Sequence, residues 1–550
     1  MATDKDIAFP VLESRDIVAL GARGATRDIR AGEILFDEGD RGFPFFVVLE
    51  GAVEIVEHSR GTPHTVVVHQ RGEFTGDVDM LSGRAALVQG RAAEDGRVLE
   101  LGAGALRKAV DELPDLGATL IKAFLMRRQL LLEEGFEGVR IIGSRFSPEA
   151  LRLRDFANRN GIPYRWMDLE TDEEAESLLR QFNVPVSATP IVMDSEGTWY
   201  SNPSLGDIGA CMGMVSRMDE GQVYDLVVVG AGPAGLAASV YAASEGLEVL
   251  TAESVAPGGQ AGTSTLIENF FGFPTGISGT DLTANALIQA QKFGARITVP
   301  CTVRSLGVEG GERIVTLGDG TRLRARCVLI ATGVSYRRLD IPNFVEFEGA
   351  GIYYAATDRE AQLCRGEDVV VVGGGNSAGQ AIVNLAKYAR RVHVLIRKGD
   401  LGANMSRYLV DRVEGLENVV VHRSSVVSGL EGNGHLGAVL VSNETKEAVR
   451  LETSSLFLFI GADANTDWLR GCVELDRKGF VLTGTELPPG TAETDRWRTL
   501  GRAPFLLETS LPGVFAAGDV RSASVKRCAS AVGEGAMAVS FVHAHIARPA

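Results

Sequence analysis

Apolar positions along this chain fall into three rhythms, each covering its own stretch. From about residue 12 to 110 they form short β-rich runs broken by glycine turns: IRAGEILFDEGD, FPFFVVLEGAVEIVEH and TVVVHQRGEF. LRKAVDELPDLGATLIKAFLMRRQLLLEEG then changes to helical spacing. From about 138 to 205 the rhythms alternate. VRIIG reads as a strand, SPEALRLRDFANRNG as a helix, PYRWMDLE as a strand, EEAESLLRQF as a helix and ATPIVMDSEGTWY as a hairpin. SNPSLGDIGACMGMVSRMDEGQ reads as a helical or loose connector. From residue 221 onward the pattern is α/β, and one strand–turn–helix unit occurs twice.

The first copy is Tyr224 to Gly235, YDLVVVGAGPAG, followed by LAASVYAASEG. Gly230 permits the tight turn, Gly232 lets the backbone approach a pyrophosphate, and Gly235 lets the helix pack closely on the strand. Pro233 and Ala234 open the helix, whose N-terminus offers N–H groups and a positive dipole end to phosphates. An acid about twenty positions on is needed to hold the ribose, and Glu253 in LEVLTAES is there. The second copy is VVVVGGGNSAGQAIVNLAKYA, with Gly373, Gly375 and Ala378 in the three small positions and Asn376 and Ser377 between them. Where the first copy has Glu253, the second has Arg397 and Lys398. A carboxylate there repels a 2′-phosphate and two cations attract it, so the first site fits FAD and the second NADPH. The bland alternative is two solvated cations at a strand end.

Size and charge narrow the choices further. At 550 residues the chain holds roughly three to four domains. A net charge of −16 argues against a nucleic-acid partner. No apolar run reaches the roughly eighteen residues that span a bilayer, so no membrane partner is expected. MATDKDIAFPVLESRD has neither a basic start nor an apolar signal core, so the expected compartment is cytoplasmic. The six cysteines, at 211, 301, 327, 364, 472 and 528, include no CxxC pair. Neither a metal site nor a local redox dithiol is expected, and no side chain stands out as a catalytic acid or nucleophile.

AGEILFDEGD, FFVVLEGAVEIV and GEFTGDVDMLSGRAALV, with turns at Gly32, Gly39, Gly51 and Gly72, resemble the cyclic-nucleotide-binding domain, a β-roll with flanking helices. That family holds its ligand with Gly-Glu and a later Arg-Ser/Thr-Ala; here Gly76-Asp77-Val78-Asp79 and Arg84-Ala85-Ala86 stand in their place. A cyclic phosphate beside two carboxylates is electrostatically unfavourable, so a structural or sensor domain that does not bind cAMP is expected. The βαβαββ order of residues 138–205 resembles a glutaredoxin or thioredoxin-like domain. Pro190 in Thr189-Pro190-Ile191 matches that family's cis-proline, but its CxxC falls on Ser147-Pro148-Glu149-Ala150. Ser147 and Pro148 are explained as a helix cap and first turn.

Residues 221–550 resemble the low-molecular-weight thioredoxin reductases over essentially their whole length. GGQAGTSTLIENFFGFPTGISG carries Gly259, Gln260 and Asn269 in the positions of the flavin-embracing loop. Ala331-Thr332-Gly333 marks the exit from the FAD domain, Asp519 in GVFAAGDV the ribityl contact, and Lys526, Arg527 and Cys528 the segment beside the flavin ring. The resemblance implies a homodimer and an FAD domain split around an NADPH domain, both Rossmann-like and three-layered. The expected limits are 1–135 for the β-roll, 136–220 for the thioredoxin-like α/β unit with its linker, 221–340 and 465–550 for FAD, and 341–464 for NADPH. It implies hydride transfer from NADPH to FAD and onward to an acceptor the sequence does not name. The family's CxxC follows a Gly-x-x-Tyr, and here the stretch is Gly351-Ile352-Tyr353-Tyr354-Ala355-Ala356-Thr357-Asp358. Ala355 and Asp358 take the cysteine positions without a gap; with one gap Asp358 matches the acid after the second cysteine. Two alternatives remain: a redox-sensing flavoprotein with little turnover, and a disulfide reductase that borrows thiols from elsewhere. Ferredoxin or flavodoxin reductases of this fold lack CxxC but carry an extra C-terminal segment, which the ending FVHAHIARPA does not suggest.

Overall fold

The computed structural model describes residues 4–547 apart from 59–62, 134–138, 182–184, 186–187, 195–197, 213, 216–217, 219–220, 265–266, 268–269, 349–350, 355, 357–360, 362–363, 404 and 444–447. The N-terminal unit is two antiparallel sheets. One orders Ala25–Ile29, Gly96–Leu101 and Phe45–Glu50; the other orders Ile34–Phe36, Gln89–Ala92, Val53–Glu57 and His64–His69. Phe45 to Val48 are all buried in the roll, where Phe45, Phe74 and Phe124 pack ring on ring at 5.6–6.4 Å. The reading of residues 12–110 as all-β needs correction at Ser14–Gly21, a helix that buries Leu20, and at the short helix Asp79–Ser82. SRDIVALG has no alternating apolar pattern and places Ile17 and Leu20 three apart, one helical turn. The helical stretch that follows the roll breaks into Ala103–Glu112 and Pro114–Glu133. Leu113 precedes a proline and is pushed out of the helical region to φ −120°, ψ 80°.

The second unit has the expected element order. Its sheet runs Trp199–Ser201, Ile191–Met193, Val139–Gly143, Tyr164–Asp168, with the last pair parallel and the others antiparallel. Helices Pro148–Arg159 and Glu173–Gln181 cover it, and the Thr189–Pro190 bond is cis.

The third unit is a seven-stranded mixed sheet with Val223–Val229 at its centre, parallel to Val249–Ala252 on one side and Arg322–Ile330 on the other. Covered on both faces, the second half of this strand, Leu226 to Val229, is a continuous buried apolar run rather than an alternating one. Helix Pro233–Ser244 is buried on nearly all sides, lying between the sheet and helix Cys528–Ile546. The two helix backbones come so close that a Cβ on Gly535 would lie 2.1 Å from Ala234 O.

A two-stranded ribbon, Val334–Tyr336 with Ala462–Ala464, joins this unit to the fourth. There five parallel strands order Ile352–Tyr353, Leu456–Leu458, Asp368–Val372, Arg391–Leu395 and Val419–His422. A three-stranded antiparallel sheet of Ser425–Gly432, Leu436–Asn443 and Ala448–Glu452 completes it.

The second and third units share one apolar core. Ile141, Phe156 and Ile208 belong to the same buried cluster as Leu226, Val228 and Leu329. Gly209 makes the contact possible, since a Cβ there would lie 2.2 Å from Pro300 Cδ and 2.9 Å from Val299 O. Gly209→Ala is therefore expected to lower the apparent unfolding temperature, at a cost of about 1–3 kcal/mol from overpacking. Gly206→Ala, in the same helix but meeting only Ser204 Oγ at 3.4 Å, is the control and is expected to leave it unchanged.

Candidate functional site

The turn after strand Val223–Val229 is shaped by backbone contacts that only glycine permits. Gly230 has φ +102°, and a Cβ on it would lie 2.4 Å from Ala331 O. A Cβ on Gly235 would lie 1.9 Å from Gly230 O. At Gly232, by contrast, an added Cβ meets nothing nearer than Gly259 Cα at 4.0 Å. The open side of the turn therefore faces the N-terminus of helix Pro233–Ser244, whose first N–H groups have no partner within the helix.

Several of the residues read from the sequence converge on that opening. Gly258 N–H donates to Ala231 O at 2.7 Å, which lays Gly259 against Gly232. Gln260 Nε2 donates to Val334 O at 3.4 Å, just past Thr332 and Gly333. Thr332 and Asn465 are cross-bonded, Oγ1 to Asn465 O at 2.8 Å and Asn465 Nδ2 to Thr332 O at 2.9 Å. Gly518 sits against Ala234, which brings Asp519 over the helix start. Burial, and Glu534 nearby, push the Asp519 carboxyl up, while Lys526 opposes the shift. Lys526 Nζ donates to the backbone oxygen of Asp519, and Arg527 caps the helix that begins at Cys528. Asn269 lies outside the described residues.

Glu253 is nearly buried, 9% exposed. Its Oε2 accepts Ala231 N–H at 2.8 Å and its Oε1 accepts Val255 N–H at 2.9 Å. Oε1 also accepts the Ser254 hydroxyl at 3.5 Å, while Oε2 keeps a second acceptor site, so the carboxylate is both a brace for the turn and an acceptor for a hydroxyl donor. The cradle thus fits a dinucleotide: open backbone donors, glycines where a side chain would intrude, and an anchored carboxylate.

The second turn repeats the geometry with a different charge. Gly373 has φ +146° and would place a Cβ 2.5 Å from Phe459 O. Gly375 caps helix Asn376–Leu385, which opens with Ser377 and buries Ala378, while Asn376 Oδ1 accepts Ser406 N–H at 2.7 Å. Arg397 and Lys398, one and two residues beyond Ile396 at the end of the neighbouring strand, are exposed.

None of the six cysteines is in a disulfide. Burial pushes the thiols of Cys301 and Cys327 up to about 12 and that of Cys528 up to about 11. Thiolate is the reactive form, so these groups are inert near neutrality. Ser147 Oγ accepts Ala150 N–H at 3.2 Å as the cap of helix Pro148–Arg159, and Ala150 is fully buried. Ala355 and Asp358 lie outside the described residues, but Tyr354 beside them stacks on Tyr336 at 5.5 Å and 7°. Tyr354 O–H donates to Glu348 at 2.6 Å, and Glu348 pairs with Arg338 at 2.8 Å.

In the N-terminal unit the two carboxylates are already neutralised from within. Arg128 Nη1 lies 3.0 Å from Asp79 and 3.6 Å from Asp77. Arg127 donates to Gly76 O at 2.7 Å and to Ala8 O at 2.8 Å. Arg84 donates to Asn160 O at 3.4 Å, and the charges of Asp79 and Asp77 also act on it. Burial and the neighbouring Asp79 push the Asp77 carboxyl up to about 7. Reading the sequence missed Arg127 and Arg128; the signal was a charged pair inside the apolar run AFLMRRQLLL. With Arg127 and Arg128 so committed, the unit is expected to bind cAMP and cGMP weakly or not at all by calorimetry. A micromolar affinity would contradict that.

Two glycine turns on two layered sheets, one braced by a carboxylate and one followed by exposed cations, fit a protein that holds two dinucleotides. The chain belongs to the pyridine nucleotide-disulphide oxidoreductase family, which matches residues 224–535. Such proteins are NAD(P)H-dependent flavin oxidoreductases, and FAD and NADPH are the cofactors of the thioredoxin-reductase class to which its relatives belong. Residues 26–112 match the cyclic nucleotide-binding domain family. The chain is 36% identical over 324 residues to NADPH-dependent thioredoxin reductase 3 of Arabidopsis thaliana, covering 58% of this chain and 57% of that one. It thus spans a little over half the length of that relative. It is 32% identical over 317 residues to the thioredoxin reductase of Mycolicibacterium smegmatis, covering 58% of this chain and 94% of that one. The crystal structure of Lactococcus lactis thioredoxin reductase in its FR conformation superposes with a TM-score of 0.50 at 25% identity, covering 59% of this chain and 99% of that one.

Proposed function

We propose that this protein is a homodimeric, cytoplasmic, FAD-dependent oxidoreductase that takes a hydride from NADPH and passes electrons to an acceptor other than a protein disulfide. The domain limits are those expected from the sequence, with FAD held by 221–340 and 465–550 and NADPH by 341–464. The observation that carries this reading is the convergence of Gly259, Thr332 and Asp519 on the open helix start at Gly232, repeated in outline at Gly375. Bound FAD would supply the hydride chemistry, which belongs to the cofactor. The chain's own residues bind and orient. Gly230 to Gly235 and the helix N-terminus take the pyrophosphate, Glu253 the adenosine ribose, and Asp519 the ribityl chain. Gln260 and Asn269 embrace the flavin from one loop, while Lys526, Arg527 and Cys528 flank the ring. Gly373 to Ala378 take the second pyrophosphate, and Arg397 and Lys398 the 2′-phosphate. A regulatory flavoprotein of low turnover would hold the same cofactors. Anaerobic spectra before and after NADPH, followed by steady-state oxidation with a panel of acceptors, separate the two.

The purified protein is expected to be yellow, to release FAD on denaturation, and to bleach on anaerobic NADPH. Colourless protein that FAD does not reconstitute would end the reading. Paired cation contacts to a 2′-phosphate contribute about 1.5–3 kcal/mol. Arg397→Ala with Lys398→Ala is therefore expected to cut the preference for NADPH over NADH by roughly tenfold to a hundredfold. Equal use of both cofactors by the wild type would mean that these side chains serve only the solvent.

Thioredoxin is expected not to be a substrate. Disulfide exchange needs a thiolate that can form a mixed disulfide, and Ala355, Asp358, Ser147 and Ala150 supply no sulfur. A coupled assay with NADPH, thioredoxin and a chromogenic disulfide checks this. Turnover of about 1 per second or more, surviving replacement of each cysteine by serine, would show a route through other groups.

A further inference from the structure

Asn160 ends helix Pro148–Arg159 in the thioredoxin-like unit and is 6% exposed. Its side-chain amide donates to Phe156 O at 2.8 Å, closing its own helix, and to Val255 O at 3.0 Å in the FAD-binding unit. Both acceptors are carbonyls, so the NH2 end is fixed there; the reverse orientation would set an oxygen against two oxygens. The Val255 residue is held at its other end by its N–H, which donates to Glu253 Oε1 at 2.9 Å. Glu253 Oε2 in turn accepts Ala231 N–H inside the glycine turn at 2.8 Å. Further out, Arg84 of the first unit donates to the backbone oxygen of Asn160 at 3.4 Å. One line of hydrogen bonds therefore joins the first three of the four units and ends on the carboxylate of the dinucleotide site.

We propose that Asn160 is a positioning residue for FAD. By holding the Val255 carbonyl it anchors residue Val255 on the far side of its Cα, and so restrains the N–H that positions the Glu253 carboxylate for the ribose hydroxyls. The accessory unit thus supplies a residue that the FAD site needs, although it touches no cofactor itself. The inference rests on the reading of Glu253 as the ribose acceptor. Hydrogen bonds to a carboxylate are charge-assisted and directional, so loss of the brace changes where the carboxylate points as well as how firmly it is held. Loss of one such bond corresponds to about threefold to tenfold in a binding constant.

The test is FAD affinity in a double-mutant cycle on the full chain. The protein is stripped of flavin, FAD is titrated back, and binding is read by flavin fluorescence, with the apparent unfolding temperature of the stripped protein measured alongside. Asn160→Ala is expected to weaken FAD by about threefold to tenfold, Glu253→Ala by more, and the double variant by no more than Glu253→Ala alone. Asn160→Ser, whose hydroxyl is too short to reach Val255, serves as the second arm if the alanine protein does not fold. Wild-type FAD affinity in both Asn160 variants, with affinity lost in Glu253→Ala, would overturn the inference and leave the ribose reading standing. Additive losses in the cycle would overturn it too, since Asn160 would then not act through Glu253. Wild-type affinity in Glu253→Ala would remove the ribose reading, and the inference with it.

Discussion

Helix Pro233–Ser244 has almost no polar face, so water is excluded from nearly every side of it. The sheet covers one side and helix Cys528–Ile546 another, and Gly279–Lys292 also packs against it. The approach of Gly535 to Ala234 O, and of Gly235 to Gly230 O, leaves no room for a side chain at either place. What remains open is the helix start, where backbone donors face outward. Enclosure of the barrel of the helix and exposure of its end are two aspects of one constraint, and the loops bearing Gly259, Thr332 and Asp519 are arranged around that end.

The parts of the fold that repeat a local rule were legible in the sequence. Strand Val223–Val229 ends in the apolar run Leu226 to Val229, Gly230 and Gly235 after it have backbone needs that no other residue meets, and the βαβαββ order of the second unit follows from alternating periods. Residues brought together across long separations were not legible. Nothing near Asp77 in sequence announces Arg128, because helix Pro114–Glu133 returns along the roll only after folding. Tyr336 meets Tyr354 only because the chain turns at the ribbon Val334–Tyr336 and enters the fourth unit. Helix Ser14–Gly21 was missed because it buries one residue and so carries a weak periodic signal.

The two smaller units use polar groups to hold their own frames. In the first, Arg127 and Arg128 hold the segment around Asp77 from inside, so that opposite charges on the chain itself occupy the place where an anionic ligand would be held in that family. In the second, a serine cap and a buried alanine stand where thiols would be. Both retain their frame while the groups that would do the chemistry are absent or committed to the frame itself.

The core shared by the thioredoxin-like unit and the FAD sheet bears on how such a chain evolves. Two domains joined only by a linker can be separated again by a single break in the gene, each half remaining soluble. Once Ile208 and Gly209 of one are packed against Val299 and Pro300 of the other, separation leaves two exposed apolar faces in place of one interior. Fusion has become a ratchet. The smaller unit keeps its shell whatever its own chemistry, because the shell now serves as part of the larger unit's interior.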